Sequence, residues 1–254
     1  MRIDSNTIFI PGATSGIGLA LALRLQEAGN TVIVGGRRTE LLADIAGRHP
    51  GIDTVRIDTT DADSIAEASR EVIARHPSLN VVVAMAGIMR AEDWTTPAGF
   101  VETAEATVTT NLLGPIRLIG ALIEHLRAQP AATIMTVSSG LAFAPLRVTP
   151  SYNATKAAIH MLSESLRLQL AGTSVEVLEL EPPAVQTDLM PGHAENPFAM
   201  PLDEFADEVM SILAAGEATE IQVERVKFLR YGEARGDYAQ VVATLNRTDP
   251  HAAA

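Results

Sequence analysis

Seven short runs rich in Val and Ile alternate with longer stretches of helical period, and this alternation constrains the fold more than any other feature. The runs cover residues 7–10, 31–34, 54–57, 80–84, 132–137, 174–180 and 220–223. Most are apolar nearly throughout, which suits strands covered on both faces. Helix-like segments lie between them at 17–28, 40–48, 63–75, 99–129, 152–170 and 203–215. Asp61 or Asp63 and Asp203 are expected N-caps, and the first and sixth helices run into Gly29 and Gly216, both plausible C-caps. The pattern predicts βαβ units in one doubly wound α/β domain, a parallel sheet with helices on both faces. The stretch 187–202 carries three prolines between a strand and a helix. It reads as a loop or lid near a site.

Composition narrows the class. The chain has 254 residues, 47% of them hydrophobic, with no cysteine and a formal charge of −12. That length supports a sizeable core. Without cysteine there is no disulfide framework, thiolate-ligated zinc or Cys nucleophile. The acidic balance argues against nucleic acid and against an anionic membrane surface. No apolar run approaches the ~20 residues of a membrane span, and Met1-Arg2-Ile3-Asp4 does not open like a signal peptide. A soluble cytoplasmic protein is expected. Six histidines (His49, His76, His125, His160, His193 and His251) show no spacing that suggests a metal site. Lys156 and Lys227 are the only lysines among 19 cationic side chains.

The first strand runs straight into PGATSGIG, residues 11–18, and then into a helix. In that setting Gly12 permits a tight turn, Gly16 a close approach of backbone to a pyrophosphate, and Gly18 helix–sheet packing. Free N–H groups at the helix start favour phosphate. A tight βα connection with no ligand is the plainer reading, and the spacing is GxxxGxG instead of GxGxxG. At the end of the second strand, where NAD-binding folds carry an acid, the chain has Gly36 followed by Arg37 and Arg38. A guanidinium binds a 2′-phosphate that a carboxylate would repel. NADP(H) is therefore favoured over NAD(H); two solvated arginines are the alternative. Asp58 either accepts from an adenine amino group or caps the turn with Thr59 and Thr60.

Ser139, Tyr152 and Lys156 form the strongest constellation. Tyr and Lys four apart lie on one helical face. An ammonium near a phenol lowers its pKa toward the working range of a general acid or base. Ser139, at a strand end, is placed to hold a carbonyl or hydroxyl oxygen. An aromatic on the core face and a solvated lysine would give the same two letters.

Taken in order, GxxxGxG, a Ser thirteen residues before YxxxK and the isolated Asn111 resemble the short-chain dehydrogenase/reductase family in its single-domain branch. The stretch SSGLAFAPLRVTPSYNATKAAIHMLSESLRLQLAGTSVEVLELEPPAVQTDL and the ending IQVERVKFLRYGEARGDYAQVVATLN are closer still to its DltE-like oxidoreductases. The resemblance implies a seven-stranded parallel sheet and a four-residue catalytic site. Tyr152 would exchange the proton, Lys156 would lower its pKa and bond the nicotinamide ribose, and Ser139 would orient the substrate. Asn111 would sit at a helix irregularity and hold a water. It further implies cofactor contacts from Gly12, Thr14, Ser15, Gly16, Ile17, Gly18, Arg37, Arg38, Asp58, Ala86 and Gly87. Pro182 to Val185 would line the nicotinamide face and Thr187 would bond the carboxamide. The family's Thr-Gly is Pro11-Gly12 here, its Asn-Asn-Ala-Gly is Ala84-Met85-Ala86-Gly87, and its Pro-Gly is Pro182-Pro183. Both partners of the usual Thr–Asn tie are thus apolar, an exchanged structural contact.

The function expected is an NADP(H)-dependent oxidoreductase that interconverts a small uncharged carbonyl and an alcohol. An NAD(H) enzyme and a non-catalytic nucleotide-binding relative are the alternatives. Met89, Trp94, Leu141, Phe143, Met190 and Phe198 are candidate pocket residues. The family's long helices, here near 100–129 and 152–170, suggest a homodimer or homotetramer.

Overall fold

A computed structural model describes residues 1–96 and 99–248. Seven parallel strands form one sheet in the order β3-β2-β1-β4-β5-β6-β7. They are β1 Thr7–Pro11, β2 Thr31–Gly36, β3 Ile52–Arg56, β4 Val81–Ala84, β5 Ala132–Val137, β6 Val175–Leu180 and β7 Glu220–Ile221. The intervening helices are α1 Gly16–Glu27, α2 Thr39–Arg48, α3 Ala62–Arg75, α4 Phe100–Val108, α5 Gly114–Ala128, α6 Pro150–Leu170 and α7 Leu202–Ala215. The order reverses between β1 and β4, which opens a crevice at the strands' carboxyl ends, the usual ligand position in such sheets.

The unbroken apolar runs follow from this layering. Ile8, Ile10, Val32, Val34, Val81 and Val83 pack with Leu21, Leu25, Phe205 and Val209 on one face. Phe9, Ile33, Val82 and Ile134 pack with Ile65, Val72, Leu118 and Leu122 on the other. Successive strand residues point to opposite faces, and both faces are covered, so the central strands are apolar at most positions.

Three expectations need correction. Asp61 caps α3, its side chain accepting from the Asp63 N–H, but α7 is capped at Pro201 with Asp203 inside the first turn. Helix α4, a π-helical turn over Thr109–Leu113 and α5 form a continuous helix over Phe100–Ala128, and by length and composition it could cross a membrane. Asn111, Leu118, Leu122 and Leu126 on it are buried within the protein, as in a core helix. Three short helices also follow β7: α8 Lys227–Arg230, α9 Gly232–Arg235 and α10 Tyr238–Thr248. Two have four residues, too short to carry a readable period.

Candidate active site

The crevice between β1 and β4 opens into a cavity of about 560 Å³. Its floor is the β1–α1 turn. Gly12 and Gly16 have φ of 86° and 55°, a region side chains rarely adopt. A Cβ on Gly12 would lie 2.8 Å from Ala86 Cα, and one on Gly18 would lie 2.7 Å from Ala13 Cα and 2.9 Å from Met85 Sδ. Ala86 and Met85 thus seat β4's end against the turn by packing alone. This is how the chain manages without the Thr–Asn tie. Ser15 N-caps α1 without a side-chain hydrogen bond. Ser15, Gly16 and Ile17 face the cavity with the positive end of the helix behind them.

Arg37 and Arg38 reach the same cavity from the end of β2; neither guanidinium has a hydrogen bond or a close ion pair among the described residues, and the charge of Arg37 helps hold the Asp58 carboxyl low. A Cβ on Gly36 would lie 2.5 Å from Thr14 Cγ2, so Thr14 closes the position where a ribose-binding acid would stand. Asp58 takes the turn-capping role: its Oδ1 accepts from the Thr60 N–H and hydroxyl at 2.9 and 2.7 Å. It does not line the cavity.

Beyond the turn stand Ser139, Tyr152 and Lys156, brought together from the end of β5 and the first two turns of α6. All three are buried. Ser139 Oγ accepts from the Leu141 N–H at 3.1 Å, which caps a short 3-10 turn over Gly140–Ala142. Lys156 Nζ lies 5.4 Å from the centre of the Tyr152 ring and donates to the Val137 carbonyl at 2.8 Å. Burial pushes the Tyr152 phenol up to about 12, opposed only by its hydrogen bond with Ser139. Burial also pulls Lys156 down to about 8, opposed by the charge of Glu179. The Lys156 ammonium is turned toward the neutral Val137 carbonyl, and burial sets the direction of the Tyr152 shift.

Asn111 occupies the π-turn. Its Oδ1 accepts from the Ile88 N–H at 2.8 Å and its Nδ2 donates to the Ile88 carbonyl at 2.9 Å. The irregular turn thus pins the segment after β4, of which Gly87 lines the cavity. Pro182, Val185 and Thr187 line the cavity too, and the Pro182 carbonyl accepts from the Gly140 N–H at 2.9 Å. A bridge between Val185 and Met200 closes the following loop at its base.

The pocket candidates divide. Met89 and Leu141 line the cavity. Met190 packs beneath it with Met89, Leu146 and Tyr152. Trp94, Phe143 and Phe198 lie outside it; Trp94 and Phe198 are exposed. Trp94 stacks on Phe100, and Phe143 meets the His160 ring edge-on. Unforeseen wall residues include Arg90, His193, Leu229 and Leu245, the last two carried by the C-terminal helices. No local pattern marks them, because tertiary folding alone brings residues 229 and 245 over residue 139. His160 stays out of the cavity as a satisfied helix histidine bonded to Glu179, and His251 lies outside the described residues.

The fold agrees with that of solved structures similar to it. The chain belongs to the short chain dehydrogenase family, whose model matches residues 6–197, and is an oxidoreductase of that family. It is 38% identical over 252 residues to an uncharacterized oxidoreductase, DltE, of Bacillus subtilis, spanning 97% of this chain and 98% of the relative. A short chain dehydrogenase from Burkholderia cenocepacia, solved in complex with NADP, is 27% identical with a TM-score of 0.82 over 96% of this chain and 99% of that one. An alcohol dehydrogenase from Thermococcus sibiricus, complexed with 5-hydroxy-NADP, is 25% identical with a TM-score of 0.74 over 87% and 94%.

Proposed function

We propose that the protein is an NADP(H)-dependent carbonyl reductase acting on small uncharged ketones or aldehydes, with the reverse alcohol oxidation on the same site. The observation that carries this reading is the buried Ser139-Tyr152-Lys156 group at the far end of a cavity floored by a glycine turn. The cradle fits a dinucleotide. Side chains are excluded at Gly12 and Gly18, helix N–H groups face in, and two guanidiniums with no hydrogen bond among the described residues stand where a 2′-phosphate would lie. The solved relatives that carry NADP and 5-hydroxy-NADP support the same cofactor. Gly12, Ser15, Gly16, Ile17, Arg37 and Arg38 would hold the phosphates, and Val185 and Thr187 the nicotinamide end. When bound, the dinucleotide supplies or takes up the hydride.

The chain's own groups handle the oxygen. Tyr152, protonated at neutral pH, donates its phenolic proton to the carbonyl oxygen, and the Ser139 hydroxyl holds that oxygen in line. Lys156 places a positive charge beside the phenolate left behind, where burial makes it count for more than in water. A phenol raised to about 12 is a proton donor at pH 7, which favours reduction there, with oxidation gaining as pH rises. Met89, Leu141, Leu146, Leu229 and Leu245 make the substrate wall largely apolar. The exposed Val101, Val108, Ile116, Met161 and Leu168 on α4, α5 and α6 support a homo-oligomer built on those helices.

The test is NADPH consumption by the purified protein across a panel of ketones and aldehydes. Turnover should occur, and Tyr152→Phe should lower kcat/KM by about 10²–10⁴-fold with the fold intact. No turnover over the whole panel, or a Phe variant as active as the wild type, refutes the reading.

A further inference from the structure

Behind the catalytic groups lies a buried carboxylate that the proposed chemistry leaves unused. Glu179 stands inside β6, opposite Thr136 of β5 and Glu220 of β7, and its side chain has no exposed surface. A carboxylate so buried is costly unless it is closely partnered. The Ser138 hydroxyl donates to its Oε1 at 2.5 Å, His160 Nδ1 lies 3.0 Å from both oxygens, and Arg167 approaches Oε2 at 3.4 Å. Arg167 brings charge and also donates to the Val177 and Thr219 carbonyls at 3.1 and 3.2 Å, so its bonds run to the β6–β7 side. Glu181 and Glu220 have Arg230 at 3.7 and 3.3 Å, and Gln222 donates to both.

Ser138 and His160 belong to the two segments that build the active site. Ser138 stands between Ser139 and Val137, the residue whose carbonyl accepts from Lys156, and its own N–H donates to the Leu180 carbonyl at 3.0 Å. His160 follows Lys156 by one turn on the same face of α6, and its ring also meets Phe143 edge-on. One carboxylate thus joins the residue before Ser139 to the turn after Lys156. Two other ties link β5 to α6. The Lys156 ammonium bonds the Val137 carbonyl at 2.8 Å but is itself a group of the reaction, and the Thr136 and Ser163 hydroxyls meet at 2.6 Å, three residues before Ser139. The Glu179 tie reaches the residue next to Ser139 with no reacting group in it. Neither Glu179 nor His160 lines the cavity.

We propose that Glu179 is a positioning residue for the reduction: its carboxylate, bonded by Ser138 and His160, clamps the strand end that carries Ser139 to the helix that carries Tyr152 and Lys156. Glu179 touches neither substrate nor cofactor. What it fixes is the spacing between the Ser139 hydroxyl and the Tyr152 phenol, the two groups that share the substrate oxygen, and a small error in such a spacing lowers the rate steeply. The catalytic consequence rests on the carbonyl-reductase reading; the clamp itself does not.

Among the described residues no hydrogen bond joins Ser138 to His160 directly, so coupling between them passes through Glu179. Ser138→Ala and His160→Leu each remove one arm of the clamp and leave Glu179 with Arg167. Each should lower kcat for NADPH-dependent reduction by about 10-fold, while KM for NADPH stays within about twofold because the dinucleotide floor lies on the other side of the crevice. The double variant should also lose only about 10-fold, because its second cut falls on a clamp already open. Should His160→Leu not fold, His160→Phe keeps a ring against Phe143 and takes its place. Losses that multiply to about 100-fold in the double variant, a loss confined to KM, or wild-type kcat in a folded single variant overturns the proposal. If the wild type reduces nothing, tyrosine labelled with ¹³C at Cζ gives the readout, Tyr152→Phe identifying one of three signals. A Tyr152 signal displaced in Ser138→Ala, and no further in the double variant, supports the clamp and refutes the reductase reading; a signal that stays put refutes both.

Discussion

Around β1 and β2 the crevice is made of backbone and glycine, whereas around β5, β6 and β7 it is backed by buried ionisable side chains. On the first side, selectivity comes from space: Ala86, Ala13, Met85 and Thr14 fill the volumes that Cβ atoms of Gly12, Gly18 and Gly36 would take. On the second side, Tyr152, Lys156, Glu179 and Glu181 are all buried, and burial moves Tyr152, Lys156 and Glu181 away from their solution pKa values. The contrast matches the two tasks of the proposed function. Holding a polyanion needs preorganised N–H groups and close approach, while moving a proton needs groups whose pKa values are set apart from their solution values. The first side should therefore fail on added volume at every pH, and the second on altered charge, with strong dependence on pH.

The largest effect should come from Gly12→Ala. A methyl at φ 86° costs about 1–2 kcal/mol in backbone strain alone. Its overlap with Ala86, 2.8 Å from that residue's Cα, adds about 1–3 kcal/mol because strand-end backbone must shift. Loss of NADPH binding by about 100-fold or more is expected, equal at pH 6 and pH 9, by calorimetric titration. Near wild-type affinity would show that this turn does not hold the dinucleotide. Arg37→Asp should act next most strongly: KM for NADPH rises by about 10–100-fold, the worth of a charge-assisted guanidinium–phosphate contact, while KM for NADH falls or holds. A wild type that already prefers NADH would break the assignment of the 2′-phosphate to these arginines.

How far the sequence foretold each side follows the same division. The turn at 11–18, the strand ends and the Ser139-Tyr152-Lys156 spacing are local patterns, and local patterns survive in one dimension. The π-turn at Asn111 was expected from resemblance, since helical period alone does not reveal one inserted residue. Nothing in the local sequence gives Glu179 and Glu181 a role. Their meaning depends on His160, Arg167 and Arg230, which lie 19, 12 and 49 or more residues away and meet them only across the folded β6–β7 edge. Leu229 and Leu245 escaped notice for the same reason: nothing within short helices marks them as the wall of a cavity built on β5. Trp94 and Phe198 were overvalued because a large apolar side chain near a strand's carboxyl end need not point into the crevice. Bulk identifies candidates, and only packing decides among them.

The smallest effect expected, and the sharpest on the charged side, concerns Glu181. Burial, with Glu179 and Glu220 beside it, pushes its carboxyl from 4.5 up to about 8, against the opposing pull of Arg230. Between those values the folded protein binds a proton that the unfolded chain has released, so Glu181 makes stability fall as pH rises through that window. Lys156 acts in the opposite sense and in a higher window. Lowered from 10.5 to about 8, it leaves the folded state with fewer protons than the unfolded one there, so its contribution to stability grows above pH 8. In Glu181→Gln the neutral amide cannot ionise, which removes the first slope and leaves the second. Wild type and variant should melt within a degree or so of each other at pH 5, and the variant about 5 °C higher at pH 8, by differential scanning calorimetry. Parallel melting curves from pH 5 to pH 8 would mean that Glu181 is ionised throughout. Arg230, at 3.7 Å, would then be its true counter-ion, and the β6–β7 edge would hold a fixed set of ion pairs instead of a shared proton.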